Sequence, residues 1–448
     1  MTARPRQLHF NVHVSTGGNH EGAWRHPKSD PVRLSELAYH KKIADIAERG
    51  KLDAIFYGDS PALSNAIRLR PVEQLDPIAR IGALSAITGN IGLAVTLSTT
   101  FNEPYNVARK VASLDHLSGG RVGWNIVTTS SESAARNFGL DGFLAHAERY
   151  RRADEFVDVV RKLWDSWEPD AILDDRKGGV YADDSRIHPI SHEGEFFKVR
   201  GPLNVPASPQ GRPVLIQAGS SDVGKDFAAR HAEVVFTAQR TLEDGQNFYA
   251  DLKQRAARKG RDAERFKIVV GISPIIGGTE AEAQKLADEL EELTAPEYGL
   301  QQLRNTTGID LSGYPLDGPV PLDAFASIES FEGHKSRSAL IRTLSEREGV
   351  TLRQLLYRLA GARGHQTLVG TPEQVASRIE EWFLNGAADG FNFMPAYLPG
   401  SLVDFVDGVI PILQQRGLFR KEYEGKTLRD HYDLPIPENE YASTKAAA

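Results

Sequence analysis

Short apolar runs alternate along the chain with longer stretches in which apolar positions recur every three or four residues. Leu8 to Val14, Ala54 to Gly58, Ile91 to Thr100, Arg121 to Thr129, Val214 to Ala218, Val234 to Ala238, Lys267 to Ile276 and Gly390 to Pro395 read as strands, most of them bounded by Gly, Pro, Asp or Ser. Between them helices are expected from Ser35 to Arg49, Pro77 to Thr88, Pro104 to Leu117, His146 to Trp164, Thr241 to Lys259, Glu280 to Leu293 and Pro372 to Asn385. A further helix should run from Ser221 through His231, and the last from Val403 to Gln415. Strand–helix alternation predicts a parallel α/β sheet, and eight strands favour closure into a (β/α)8 TIM barrel over an open sheet.

Four stretches break the rhythm. Ser15 to Arg33 is a long polar connection, expected to be a functional loop or lid. Residues 170–211 read as a surface insertion. Residues 296–364 read as an excursion over one barrel mouth, with helical patches near Leu340 and Leu355. The expected organisation is one barrel domain over 1–416 and an arm over 417–448, which is either a disordered end or a strap on another subunit.

Composition removes several classes of function. The 448 residues are 40% hydrophobic and 25% charged, enough for a large core. A net charge of -7 argues against a nucleic-acid partner, while leaving room for a local site for one phosphate. The chain has no cysteine, which excludes disulfides, thiolate metal sites and thiol nucleophiles. No His-Glu-x-x-His helix or Walker loop occurs, so no metal is expected. The start MTARPRQLHF has no signal-like apolar segment and no run is long enough to span a bilayer, so a cytoplasmic chain without a membrane partner is expected.

The fourth strand organises the candidate chemistry. With a period of two, Gly123, Asn125 and Val127 share one face and Val122, Trp124, Ile126 and Thr128 the other, so Asn125 can offer an amide to a ring over the strand ends. Thr96, Ser98 and Thr100 share a face of the third strand in the same way. Gly219, Ser220 and Ser221 follow a strand and open a helix, a geometry that suits a phosphate, although a serine there also serves simply as the helix cap. His146, Arg149 and Tyr150 lie on neighbouring positions of one helical face, either aimed over the mouth or serving as cap, solvated cation and packing group. Asp59 at a strand end can bind a ligand, act as a base or cap the turn before Pro61. His20 and His26 can shuttle protons or stand as exposed loop residues.

Three ordered motifs carry a resemblance: Ser118 to Gly139 with His146 to Phe156, then QAGSSDVGKDFAARHAEVVF, then GLFRKEYEGKTLRDHY. Together they resemble the bacterial luciferase-like flavin monooxygenases, in particular the nitrilotriacetate, dibenzothiophene-sulfone, pristinamycin and long-chain alkane group. The resemblance implies a barrel that accepts reduced FMN from a separate NAD(P)H:flavin reductase, reacts it with molecular oxygen through a flavin hydroperoxide, and oxygenates a small organic substrate. It places Asp59, Thr96 or Ser98, and Asn125 beside the flavin ring. It places Tyr150, Ser220 and Ser221 at the ribityl phosphate, with Gly219 in that loop and Arg149 as a supporting charge. His146 and His20 become the catalytic candidates, and His334 a third.

The apolar lining such chemistry needs is expected from Trp24, Phe56, Phe101, Trp124, Phe236 and Phe393, with about half of them lost to ordinary core packing. The family habit is a homodimer or homotetramer. Two alternatives remain: a deazaflavin-dependent oxidoreductase of the same superfamily, or a catalytically silent flavin-binding partner subunit.

Overall fold

In a computed structural model, residues 6–30, 34–64, 66–72, 75–129, 131–142, 145–324, 342, 345–346, 349–362 and 365–445 are described. Eight parallel strands form the barrel: β1 (His9–Val14), β2 (Ala54–Tyr57), β3 (Gly92–Ser98), β4 (Val122–Val127), β5 (Val214–Gln217), β6 (Val234–Thr237), β7 (Lys267–Ile276) and β8 (Gly390–Phe393). Their order is β6-β5-β4-β3-β2-β1-β8-β7, and the pairing of β6 with β7 closes the ring. Each strand lies within one or two residues of its predicted bounds, because a strand buried on both faces reads as an unbroken apolar run.

The wrapping helices are α1 (Leu37–Arg49), α2 (Pro77–Ser85), α3 (Pro104–Ser118), α4 (His146–Asp165), α5 (Asp222–His231), α6 (Leu242–Arg258), α7 (Pro372–Leu384) and α8 (Gly400–Asp404, continued by Phe405–Val409 and Ile410–Gln415). Proline stands in the first turn of α2, α3 and α7, where its missing N–H costs nothing. In α8 Pro411 cannot donate to the preceding turn, and Phe405–Val409 winds as a wide π turn.

Alternation along the strands separates two cores. Outward residues such as Trp124, Phe391 and Phe393 join Phe156, Trp164 and Phe405 between strands and helices. Inward residues Ala54, Phe56, Ala94, Val214, Ile216, Val234 and Val269 pack with Leu428, Tyr432 and Leu434 of the C-terminal tail. The described part of the tail therefore lies against the floor of its own barrel. Tyr432 Oη donates to Asn11 Oδ1 at 2.5 Å, Arg420 pairs with Asp53 at 2.6 Å, and Arg429 pairs with Glu233 at 2.7 Å.

Residues 170–211 carry two short antiparallel hairpins, Ile172–Asp175 with Val180–Ala182 and His192–Glu193 with Lys198–Val199. In the longer excursion the helices Pro296–Thr307 and Leu352–Ala362 pack on each other through Leu303, Leu355 and Leu356. The helical patch near Leu340 falls outside the described residues, as does His334. A strand absent from the sequence reading, Gln366–Gly370, adds in parallel to the upper part of β7.

Candidate active site

The polar groups expected at the strand tops divide into two neighbouring clusters. In the first, Asn125 Nδ2 donates to Thr96 Oγ1 at 3.0 Å and Thr96 donates to the Tyr57 carbonyl at 2.6 Å, which ties the upper ends of β2, β3 and β4 together. The remaining amide oxygen of Asn125 is buried without a hydrogen-bond partner. Thr96 and Asn125 are in register and both inward, as the alternation predicts. Ser98 is spent locally, accepting from Thr100 N–H and from the Thr129 hydroxyl at 2.8 Å.

Asp59 is half-buried just beyond β2, on a cavity of about 180 Å³ that it shares with His13, Ser15, Tyr39 and Arg80. Burial, and then the nearby Asp76 carboxylate, push its pKa above the ordinary value.

The second cluster sits at the N-termini of α4 and α5. Tyr150 Oη is within hydrogen-bonding reach of Thr128 at the top of β4 and of Ser221. Ser221 caps α5 by accepting from Gly224 N–H at 3.1 Å, so the plain capping role is real. A Cβ at Gly224 would stand 3.0 Å from both Ser221 Oγ and Tyr150 Oη, so glycine keeps this cradle open. Ser220 and Ser221 are exposed, and the helix N-terminus adds its partial positive charge. Arg149 is buried at 4% exposure, whereas His146 is exposed and its ring lies 5.0 Å from that of Tyr150.

His20 departs from an exposed loop histidine. It is buried, and its Nδ1 accepts from Gly22 N–H, which leaves the single proton on Nε2. Burial, and then Arg70, lower its pKa to about 3, so it is neutral at physiological pH. The described part of its loop is held down: Asn19 N–H and His20 N–H donate to the Pro395 and Ala396 carbonyls, and Glu21 N–H to Ala360. Gly18, at φ +137°, approaches the Ala396 carbonyl so closely that a side chain would collide with it.

The expected apolar lining is partly corrected. Trp124 packs on Trp164 and Phe393 on Phe405, both outward, because their strand parity is opposite to that of Asn125 and Asn392. Phe101 stacks on Phe138 at 4.6 Å, and Trp24 is half-buried in the first loop. Phe56 and Phe236 do face inward, with ring centroids 6.0 Å apart.

The sequence reading passed over four residues. His13 lies 5.6 Å from the Phe56 ring and pairs through Nδ1 with Asn19 Oδ1. Gln217 Oε1 and both amide atoms of Asn392 are buried without partners. His365 stacks on Phe236. His13 and Asn392 carried a signal, a polar residue on the inward parity of an apolar strand.

Two larger hollows, of about 440 and 670 Å³, lie at the opposite end of the barrel. Charged groups lining them are paired as Arg429–Glu233, Arg212–Asp165 and Arg420–Asp53. Barrel chemistry belongs at the C-terminal ends of the strands, where the smaller cavity and both polar clusters lie.

The two clusters suit a flat heterocycle with a phosphate tail. The first offers an unpartnered buried amide oxygen, and the second offers hydroxyls at a helix N-terminus, where the dipole favours an anion. Among the described residues no group of His, Asp and Glu could hold a metal ion, and no helix is long and apolar enough to cross a membrane.

The luciferase-like monooxygenase family profile matches residues 12–389. The chain is 49% identical to N-acetyl-S-(2-succino)cysteine monooxygenase of Bacillus subtilis, over 99% of this chain and 100% of that one. It is 46% identical to nitrilotriacetate monooxygenase component A of Aminobacter aminovorans, over 98% of each. Among solved structures, riboflavin lyase with modified FMN and riboflavin superposes with a TM-score of 0.84 at 35% identity, over 95% of each chain. With a barrel closed by eight parallel strands and relatives matched along nearly its whole length, the chain belongs to the luciferase-like monooxygenase family.

Proposed function

We propose that this chain is the oxygenase component of a two-component system: it takes reduced FMN from a separate NAD(P)H-dependent reductase, with molecular oxygen as co-substrate, and oxygenates a small organic substrate. When bound, the flavin supplies the activation of oxygen. The observation that carries the reading is the pair of clusters at one barrel mouth: the open Ser221–Tyr150–Gly224 cradle and the unpartnered Asn125 amide oxygen.

Ser220, Ser221 and Tyr150 hold the phosphate by hydroxyl and backbone donors, with Gly219 in the same turn and Arg149 behind them as a fixed positive charge. Asn125 and Thr96 fix the ring over β3 and β4, and Asp59 sits at its β2 side. Phe56 and Phe236 keep water from the ring, since an oxygen-activating flavin is wasted where solvent reaches it. His20 presents one proton on Nε2, and His146 stands at the rim above Tyr150, so each is a candidate for holding a proton at the reacting oxygen. We place the chain in the cytoplasm and, by family habit, in a homodimer or homotetramer.

The test is turnover with a flavin reductase, FMN, NADH and labelled oxygen across organic acids, sulfones and amines. Label in a product supports the reading. Binding of a deazaflavin in preference to FMN would replace it with the hydride-transfer alternative.

A further inference from the structure

The hollow of about 440 Å³ at the foot of the barrel has no part in the flavin site. Its rim is acidic and exposed, with Asp262, Glu264, Glu424 and Asp430 at the surface, where water screens their charge. Its inner end is different. His9, Lys267, Arg420 and His431 line it, and each of the four is more than nine-tenths buried. Lys267 opens β7 with the inward parity of Val269 and Gly271, and His9 has that of Asn11 in β1. Arg420 and His431 are brought in by the tail. Buried Asp53 gathers three of them: its Oδ1 accepts from Arg420 Nη2 at 2.6 Å and from His9 Nδ1 at 3.1 Å, and its carbonyl accepts from His431 Nδ1 at 3.4 Å.

Three groups are left over at this inner end. The Lys267 side chain has no hydrogen bond or ion pair among the described residues. Asp389 is near enough to attract it, but that carboxylate is already held by Lys253 at 3.1 Å and Arg6 at 3.4 Å. Arg420 Nη1 is buried without a partner, and so is His431 Nε2. Burial, and then Arg420, lower the His431 pKa to about 4, so at neutral pH its one proton sits on Nδ1 and Nε2 is a bare acceptor. An unpaired buried ammonium is costly, and here it stands on the wall of a cavity beside a spare guanidinium N–H and a spare imidazole acceptor. One chemistry answers all three: an oxyanion that accepts twice and donates once.

We propose that this pocket binds inorganic phosphate, whose oxygens accept from Lys267 Nζ and Arg420 Nη1 and whose own O–H donates to His431 Nε2. Bound there, phosphate joins β7 to the tail and pins the floor of the barrel. Sulfate has the same shape but no proton at neutral pH, so it sets an oxygen against the His431 lone pair. The site is independent of the flavin reading, since it lies at the end of the barrel opposite the Ser221 cradle.

Calorimetric titration of the full chain at about pH 7 with inorganic phosphate, and with sulfate at matched ionic strength, tests the site. Phosphate should bind about tenfold or more tightly than sulfate, and Lys267→Gln should weaken it about tenfold. Ser221→Ala should bind phosphate as the wild type does, which separates this pocket from the cradle at the other end. Lys267→Met removes a buried charge that has no partner, so the variant should fold, and phosphate should raise the urea midpoint of the wild type but not of this variant. No saturable phosphate binding, sulfate that binds as tightly, binding lost in Ser221→Ala but kept in Lys267→Gln, or a midpoint that rises equally in wild type and Lys267→Met would overturn the site.

Discussion

Single hydroxyl groups at the N-termini of α4 and α5 can be removed one at a time. Tyr150→Phe and Ser221→Ala each remove one hydroxyl from the proposed phosphate cradle, and each is expected to weaken FMN binding by about 1 kcal/mol, several-fold in a fluorescence-quenching titration. Unchanged affinity in both would separate the cradle from the flavin. His146→Ala leaves the cradle hydroxyls in place, so its flavin affinity should stay near wild type while peroxide released per NADH rises. An unchanged peroxide yield would end its role as a proton-handling group.

The placement of these groups was largely legible in the sequence, because Thr96 and Asn125 share inward parity and Ser221 follows a strand and opens a helix. Asn392 and His365 were not legible. A single amide in GFNF reads as noise until the barrel gives its parity a direction, and His365 owes its place to an inward glycine distant in sequence.

Among the elements, the tail diverges most from its sequence pattern. Its composition is polar, yet three apolar anchors, Leu428, Tyr432 and Leu434, meet the inward residues of β2 to β7, and their partners are nowhere near them in the chain. Leu428 occupies space that Gly92 and Gly123 leave above the floor. Leu428→Ala is therefore expected to cost about 2–5 kcal/mol in urea unfolding, the range for a fully buried leucine, and a loss below about 1 kcal/mol would mean that the floor collapses onto the gap. Arg429→Ala strands Glu233 against the barrel end and should cost about 3–5 kcal/mol.

The strands were readable because each is buried and either a nearly unbroken apolar run or, as in β1, a regular alternation. Gln366–Gly370 was missed because its alternate residues are exposed, which leaves too few apolar positions to register. The helix Pro296–Thr307 was missed because Pro296 and Gly299 read as loop residues, although the proline only opens the first turn.

At the level of the whole molecule, buried titratable groups set how stability follows pH. Burial lowers His431 and His40 to about 4 and His20 to about 3, against about 6.5 unfolded. The unfolded chain binds more protons in that window, so stability falls as pH drops below about 6.5, by up to about 1.4 kcal/mol per pH unit for each histidine. Asp53 and Glu233 add a second, more acidic loss. Burial raises both, but Arg420 and His9 outweigh it for Asp53 and Arg429 for Glu233, so each folded pKa lies below the unfolded one. Their contribution is present above the unfolded value and disappears as pH falls through the folded one. Urea midpoints at about pH 7 and about pH 5 should therefore differ clearly, and coincident midpoints would mean that the three histidines are charged in the folded protein.

The floor plug also orders events during synthesis. Leu428 and Tyr432 follow every barrel strand in the chain, and β8 must first join β1 to β7. A growing polypeptide thus carries an unsealed, apolar-lined ring until Leu428 and Tyr432 have been made, and it is in that interval that chaperones have something to hold.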